Sequence, residues 1–370
     1  MILATFNVEN LFERPAAMNL PKWSDGRKIL EDFKDLNDLI FQETYTDAIK
    51  KQLLTIMGRN KGLLTQGKSQ FIILREVRGK LVRKPTGKPS EIRYNGRSEW
   101  VGWFELIVDQ VSERAIDNTA RIVKEIGADV LCVVEADNRI ALNRFNKTVL
   151  KSMGGTPYEH VMLIDGNDER GIDVGILTRS QFPIESMVSH VDDQDSKGTI
   201  FSRDCAEYRL KLPNGDKFLL MINHFKSKGY GSQVTSNAKR KRQALRVRNI
   251  YEDRRSEGWD LIAVAGDFND TPDSDPLKPL LKNGSDLIDI MAHPKFVGDG
   301  RPGTYANGAK SGKIDYILLS PALSNRVTKG GIERRGVWGG KNGTLFPHLP
   351  EINNPVDAAS DHAAVWVDLQ

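Results

Sequence analysis

The chain has 370 residues, 39% hydrophobic and 28% charged, enough to bury a sizeable core under a polar surface as one large domain or two ordinary ones. No apolar run approaches membrane-spanning length, so a helical membrane protein is excluded and no membrane partner is expected. Met1 to Phe6 has no features of a secretion signal, and Cys132 and Cys205 are the only two cysteines; both lie in apolar strand-like segments, so a reducing, cytoplasmic setting is expected.

Leu3 to Val8 alternates like a strand and runs into Asn7-Val8-Glu9-Asn10. Asn7 and Glu9 are either strand-end polar groups or oxygen donors of the kind a hard cation prefers. Residues 13 to about 111 carry the weakest pattern. Thr46 to Met57 reads as a helix capped by Thr46 and stopped by Gly58. Phe71 to Val77 and Trp100 to Val108 read as strands, with a hairpin turn expected at Asn95-Gly96. Arg75, Arg78, Lys80, Arg83, Lys84, Lys88, Arg93 and Arg97 make this stretch basic, and no catalytic constellation is visible in it. It reads as a subdomain inserted after the first strand of a single catalytic domain spanning 1–370, able to contact substrate or a partner.

From Ser112 the pattern sharpens. Ile116, Ala120, Val123 and Ile126 line one helical face that Gly127 stops. Val130 to Val134 is a buried strand ending in Glu135, a carboxylate costly to bury without a cation or donor. Val161–Ile164 and Val174–Leu177 flank the polar loop Asp165–Gly171. Strands at 206–212 and 217–222 form a hairpin around Asn214-Gly215 and deliver Asn223-His224-Phe225-Lys226-Ser227-Lys228-Gly229, an edge suited to facing phosphate.

From Lys239 to Arg255 eight basic residues stand against two acidic ones. Helical spacing puts Ala244, Val247 and Tyr251 inward and most arginines outward, which is either a solvated face or a surface for a polyanion. Leu261 to Ala265 is a short buried strand ending in Gly266-Asp267-Phe268-Asn269-Asp270. On an extended backbone Asp267 and Asn269 point the same way, a carboxylate beside an amide, able to grip a water and a phosphate oxygen together. After a segment at 287–290, Asp315 sits in the apolar strand 313–318. Asp361-His362 precedes the terminal strand, which invites a base role for the histidine with Asp315 orienting its ring. Strands outnumber helices and alternate with them irregularly, favouring packed mixed sheets.

The segments FNVENLF, DVLCVVEADN, NHFKSKG, AVAGDFND, KIDYILLS and SDHAAVWVDL, in this order, resemble the endonuclease/exonuclease/phosphatase superfamily, the deoxyribonuclease-I-like metal-dependent phosphodiesterases. The likeness covers Met1 to Asn10 and Ser112 to the end; the stretch between is a departure from the family pattern. It implies an α/β sandwich of two packed mixed, mostly antiparallel sheets flanked by helices. It further implies Mg²⁺, with Mn²⁺ or Ca²⁺ as alternatives, held by Glu135 with Asn7, and Asp361 binding metal or positioning the scissile phosphate. Asp267 would activate the attacking water, Asn269 would hold the phosphate, and Asp315 would polarise His362. His224 matches the phosphate-facing histidine of the deoxyribonuclease and phosphatase branches. Arg203 matches a phosphate-contacting arginine, with Lys226 and Arg170 as further substrate contacts and Asp173 as a partner for His224.

The expected function is therefore Mg²⁺-dependent hydrolysis of a phosphodiester, first as a DNA endonuclease. A phosphatase on a small phosphorylated molecule or lipid headgroup is the runner-up, and a non-catalytic nucleic-acid-binding scaffold the third reading. Gly308 to Ile314 imitates a phosphate-binding loop but is one residue short and has Ile314 in place of the hydroxyl. Asp193 to Gly198 imitates a calcium loop, with Lys197 in place of a ligand.

Overall fold

The computed structural model describes residues 1–9, 11–20, 23–228 and 232–370; Asn10 and Gly229, which end two of the sequence segments above, lie outside them. The chain divides into two compact units. The first comprises Met1–Phe12, Val111–Lys228 and 232–370, and the second Glu13–Gln110.

The first unit is built on two mixed sheets. One is formed by β1 (Ile2–Asn7), β2 (Val130–Ala136), β3 (His160–Ile164), β4 (Asp173–Thr178), β10 (Val327–Glu333) and β11 (Ala364–Leu369), with Phe296–Val297 at an edge, in the order 296–297, β10, β11, β1, β2, β4, β3. The other is formed by β5 (Ile184–Val188), β6 (Cys205–Lys211), β7 (Lys217–His224), β8 (Leu261–Asp267) and β9 (Asp315–Leu319), in that order, with Ile288–Asp289 beyond β9.

The two-residue period of a strand explains the layering. Leu3, Cys132, Val134, Leu220, Ile222, Ala263, Ala265 and Ile317 share one core cluster fed by both sheets. The alternate residues point the other way. Ala4, Phe6, Leu131 and Val133 pack with α1 (Glu113–Ile126), and Leu219, Met221, Ile262 and Val264 with α2 (Gln233–Ser256). Such strands are buried on both faces, and truncating one of their leucines typically costs ~2–5 kcal/mol. Gly266 is required where β7 and β8 meet, because at its φ of 127° a Cβ would lie 2.0 Å from the Asn223 carbonyl oxygen.

In the second unit, helices Trp23–Ile40 and Asp47–Arg59 share a core with the antiparallel pair Ile72–Arg78 and Val101–Leu106; Leu36, Leu53, Met57, Ile72, Trp100 and Phe104 belong to it. Thr46 caps the second helix through Ile49 N at 3.3 Å, as its sequence predicts, but the helix runs past Gly58. The hairpin turn expected at Asn95-Gly96 is absent. Gly96 instead bridges Thr44, and the excursion between the paired strands carries its own small ladder, Val82–Arg83 with Glu91–Ile92. Among the described residues no helix is long and apolar enough to cross a membrane.

Candidate active site

Three neighbouring strands place three chemical side chains in one row. His224 ends β7 in register with Asp267 at the end of β8, and Asp267 is in register with Asp315 at the start of β9. All three follow the alternation of residues that face the opposite sheet, so they lie at the edge of the central core and are buried. From the other sheet, β1 delivers Asn7, whose Nδ2 donates to Asp267 Oδ2 at 3.2 Å.

Glu135 breaks the alternation. Its parity groups it with Leu131 and Val133 on the helix-covered face, yet its φ of 64° is left-handed, and its Oε1 lies 3.6 Å from His224 Nε2. Glu9 and Asn269 are also left-handed, at φ 50° and 53°. Non-glycine residues rarely adopt this conformation, and it collects where geometry serves a site. Asn269 therefore meets Asp267 through a tight turn and not through an extended strand. Its backbone N–H donates to Asp267 Oδ1 at 2.8 Å, and its Nδ2 donates to Asp267 Oδ2 at 3.2 Å and to the Phe225 carbonyl at 3.1 Å. Its side-chain amide is thus shared between Asp267 and the Phe225 carbonyl.

His362 Nδ1 lies 2.9 Å from Asp315 Oδ2, and its Nε2 lies 4.0 Å from Asp267 Oδ2 and 3.6 Å from Asp361 Oδ1. Thr304 Oγ donates to Asp315 Oδ2 at 2.6 Å. Ser360 Oγ donates to the Asn7 carbonyl at 2.7 Å and accepts from His362 N at 2.9 Å. Tyr305 is tilted against the His362 ring, with centroids 5.0 Å apart. Thr304, Tyr305 and Ser360 carry no signal in a single sequence beyond the adjacency of Ser360 to Asp361-His362. Asp361 N–H donates to Glu9 Oε2 at 3.0 Å, which ties Glu9 to the same pocket.

The two histidines are driven apart. Burial, then Arg203 and Arg170, hold His224 well below the usual imidazole value, so it is neutral. Burial pulls His362 the same way, but Asp315, Asp361 and Asp267 outweigh it and hold the ring well above that value, as an imidazolium. Burial, then Asp315, pushes Asp267 up to about 7, and burial also raises Asp361, with Glu135 adding to it. Crowded carboxylates that resist their own charge suit a hard divalent cation, and the donor set of Asn7, Glu135, Asp267 and Asp361 is all oxygen. A ligand atom from each of Asp267, Asp315 and His362 lies within 4.8 Å of the others.

Arg203 and Arg170 converge on Asp168. Arg203 Nε is 2.8 Å from Asp168 Oδ2, and Arg170 donates from Nε and Nη2 at 2.9 and 2.8 Å. Burial would raise Asp168, but the two guanidiniums hold it far below the carboxylate range. Arg203 is buried and also donates to the Phe225 carbonyl at 3.1 Å. Burial, then Arg203 and Arg170, lowers Lys226 to about 7. Asp173 does not partner His224: its carboxylate accepts from Gly166 N at 2.7 Å, while neither ring nitrogen of His224 has a hydrogen-bond partner among the described residues.

The basic helix α2 is mostly turned inward on its own unit. Arg240 is fully buried with Nε 2.9 Å from Asp270, Arg242 and Arg246 meet Asp195 and Asp193 at 2.6 Å, and Arg254 meets Glu207 at 2.7 Å. Lys241 and Arg255 pair with Asp275 and Asp260. Asp193 and Asp195, which imitated a calcium loop, are the partners of this helix.

No curated protein matches the chain. Among solved structures it is similar to a mannosyl-6-phosphatase from Bacteroides thetaiotaomicron VPI-5482, at 18% identity and a TM-score of 0.49 over 70% of this chain and 91% of that one. It is also similar to the human Nocturnin catalytic domain with bound sulfate anion, at 14% identity and a TM-score of 0.48 over 70% of this chain and 86% of that one, and to truncated Caenorhabditis elegans TDP2, at 15% and 0.46 over 69% and 88%. The Endonuclease/Exonuclease/phosphatase family matches residues 110–362, a span that holds every site residue described above except those on and just after β1, and the chain belongs to that family of hydrolases acting on phosphoesters.

Proposed function

We propose that the chain is a divalent-cation-dependent phosphodiesterase that cuts DNA internally. The observation that carries this reading is the row His224–Asp267–Asp315 across three strands, with Asn7 and Glu135 reaching it from the other sheet and His362 fixed on Asp315. Glu135, Asn7 and Asp361 would hold Mg²⁺, which supplies charge neutralisation at the phosphate oxygens. Asp267, fixed by donors from Asn7 and Asn269, takes the proton of the attacking water. His362, an imidazolium braced by Asp315, stabilises developing negative charge and can return a proton. His224, neutral and without a hydrogen-bond partner among the described residues, would donate to a phosphate oxygen. Arg203, Arg170 and Lys226 surround it with positive potential.

The test is nicking of supercoiled plasmid with Mg²⁺, with chelator, and with the His362→Ala variant. Nicking that needs Mg²⁺ and falls by about 10²–10⁴ in the variant supports the reading. A second reading, a phosphatase on a small phosphorylated molecule, is favoured by the internal pairing of the α2 cations, which leaves little of that helix for a polyanion. Intact plasmid together with phosphate release from inositol phosphates would establish it instead.

A further inference from the structure

Arg59 to Arg97 in the second unit holds eleven basic residues against two acidic ones. These cations lie outward: Arg75, Arg78, Lys80, Arg83, Lys84, Lys88 and Arg93 are all exposed. Four of the eleven pair with acids, Arg59 with Asp32, Arg75 with Glu105, Lys80 with Glu76 and Arg83 with Glu91. Among the described residues Lys61, Lys68, Lys84, Lys88 and Arg93 have no carboxylate partner, and Arg78 donates to the Ser98 carbonyl at 2.7 Å. Lys84 and Lys88 sit on the turn Lys84-Pro-Thr-Gly-Lys-Pro-Ser90 between the two short paired strands, a tip with no large apolar side chain to enter a bilayer. On the neighbouring ladder Trp103 is 37% exposed and in register with Arg75, an aromatic face beside a guanidinium.

We propose that these hairpins hold duplex DNA by its phosphate backbone, through Lys68, Arg78, Lys84, Lys88 and Arg93; this rests on the diesterase reading above. Unpaired exposed cations release the counterions of a polyanion on contact, and such contacts position a nucleic acid without reading its sequence. Guanidinium groups in addition fit phosphate oxygens two at a time. The binding is a property of the second unit's own charge and needs no cation in the catalytic pocket.

The experiment measures binding of the full chain to a fluorescent 30-base-pair duplex in chelator across a salt series, for wild type, a Lys84→Ala/Lys88→Ala/Arg93→Ala variant, and a charge-keeping Lys84→Arg/Lys88→Arg/Arg93→Lys variant. Melting curves of each report folding. The alanine variant is expected to bind at least about tenfold more weakly, with a log–log salt slope shallower by roughly three, while the charge-keeping variant follows wild type. Equal affinity and slope for the alanine variant would overturn the proposal, as would tight binding of phosphatidylserine/phosphatidylcholine vesicles with none of the duplex. Wild-type hydrolysis of bis(4-nitrophenyl) phosphate with Mg²⁺, run alongside, separates the two readings. Turnover with unchanged duplex binding in the variant sinks the hairpin proposal alone, while no turnover sinks the diesterase reading together with the proposal that rests on it.

Discussion

Helix α2 and the hairpins of the second unit have similar sequence signatures, a dense run of lysine and arginine, and opposite physical situations. Along α2 the cations meet Asp193, Asp195, Glu207, Asp270 and Asp275, acids brought from 30 to 53 residues away by the sheet and its loops. Along the hairpins Lys84, Lys88 and Arg93 meet no carboxylate among the described residues. The difference teaches that a basic run reports charge composition and not available charge, since availability is decided by acids distant in sequence. In α2 the charge holds a helix onto a sheet; in the hairpins it is left for a partner.

The sharpest separation of the two regions is Asp267→Ala. We expect turnover to fall by about 10³-fold or more while duplex affinity in chelator stays within twofold, because hydrolysis belongs to the first unit and backbone binding to the second. Loss of affinity in step with activity would erase the comparison. Next in size is Arg240→Ala, which leaves the buried Asp270 carboxylate with Lys228 as its one cation among the described residues. A loss of about 3 kcal/mol in urea unfolding is expected, and a change below 0.5 kcal/mol would show the helix charge to be as dispensable as surface charge.

A third break uses pH. His190 lies 2.9 Å from Asp193 and 2.8 Å from Glu207, both partners of α2 arginines. Burial would lower His190, but Glu207 and Asp193 raise it, so its stabilisation is complete below 6.5 and is lost as pH climbs through the raised folded value. Burial would raise Glu207, but His190 and Arg254 hold it at about 2, so its contribution is present above 4.5 and is lost as pH falls toward 2. Thermal melting should show this network's contribution greatest between those limits, and His190→Gln should flatten the alkaline limb. Smallest of all, Lys84→Ala should change unfolding free energy by no more than about 0.5 kcal/mol, in keeping with an exposed side chain without a carboxylate partner.

Much of the first unit was legible because its strands are short apolar runs ended by polar residues. Val130–Val134, Leu261–Ala265 and the hairpin around Asn214-Gly215 all needed only periodicity and turn chemistry. The site was legible as an ordered set of segments, and the pairing of His362 with Asp315 was expected from their types. Three things were not. The helix Trp23–Ile40 has apolar residues at helical spacing, but Gly26 weakens the signal. That glycine is there because a Cβ would lie 2.2 Å from the Ala17 carbonyl oxygen. Glu135 was named from its position after a buried strand, but its left-handed backbone, which turns it from the helix side to the pocket, follows from tertiary context. The pairing of Arg203 and Arg170 on Asp168 was hidden because the arginines lie 33 residues apart and Asp168 sat in a loop that read as merely polar.

The alignment of His224, Asp267 and Asp315 across β7, β8 and β9 also constrains how this enzyme can change length. A single codon lost within β8 would rotate Asp267 onto the α2 side and bring an apolar neighbour into its place, silencing the chemistry while leaving most hydrophobic contacts intact. Insertions and deletions are therefore confined to the connections between strands, and the 98 residues from Glu13 to Gln110 occupy one such connection, just past the end of β1.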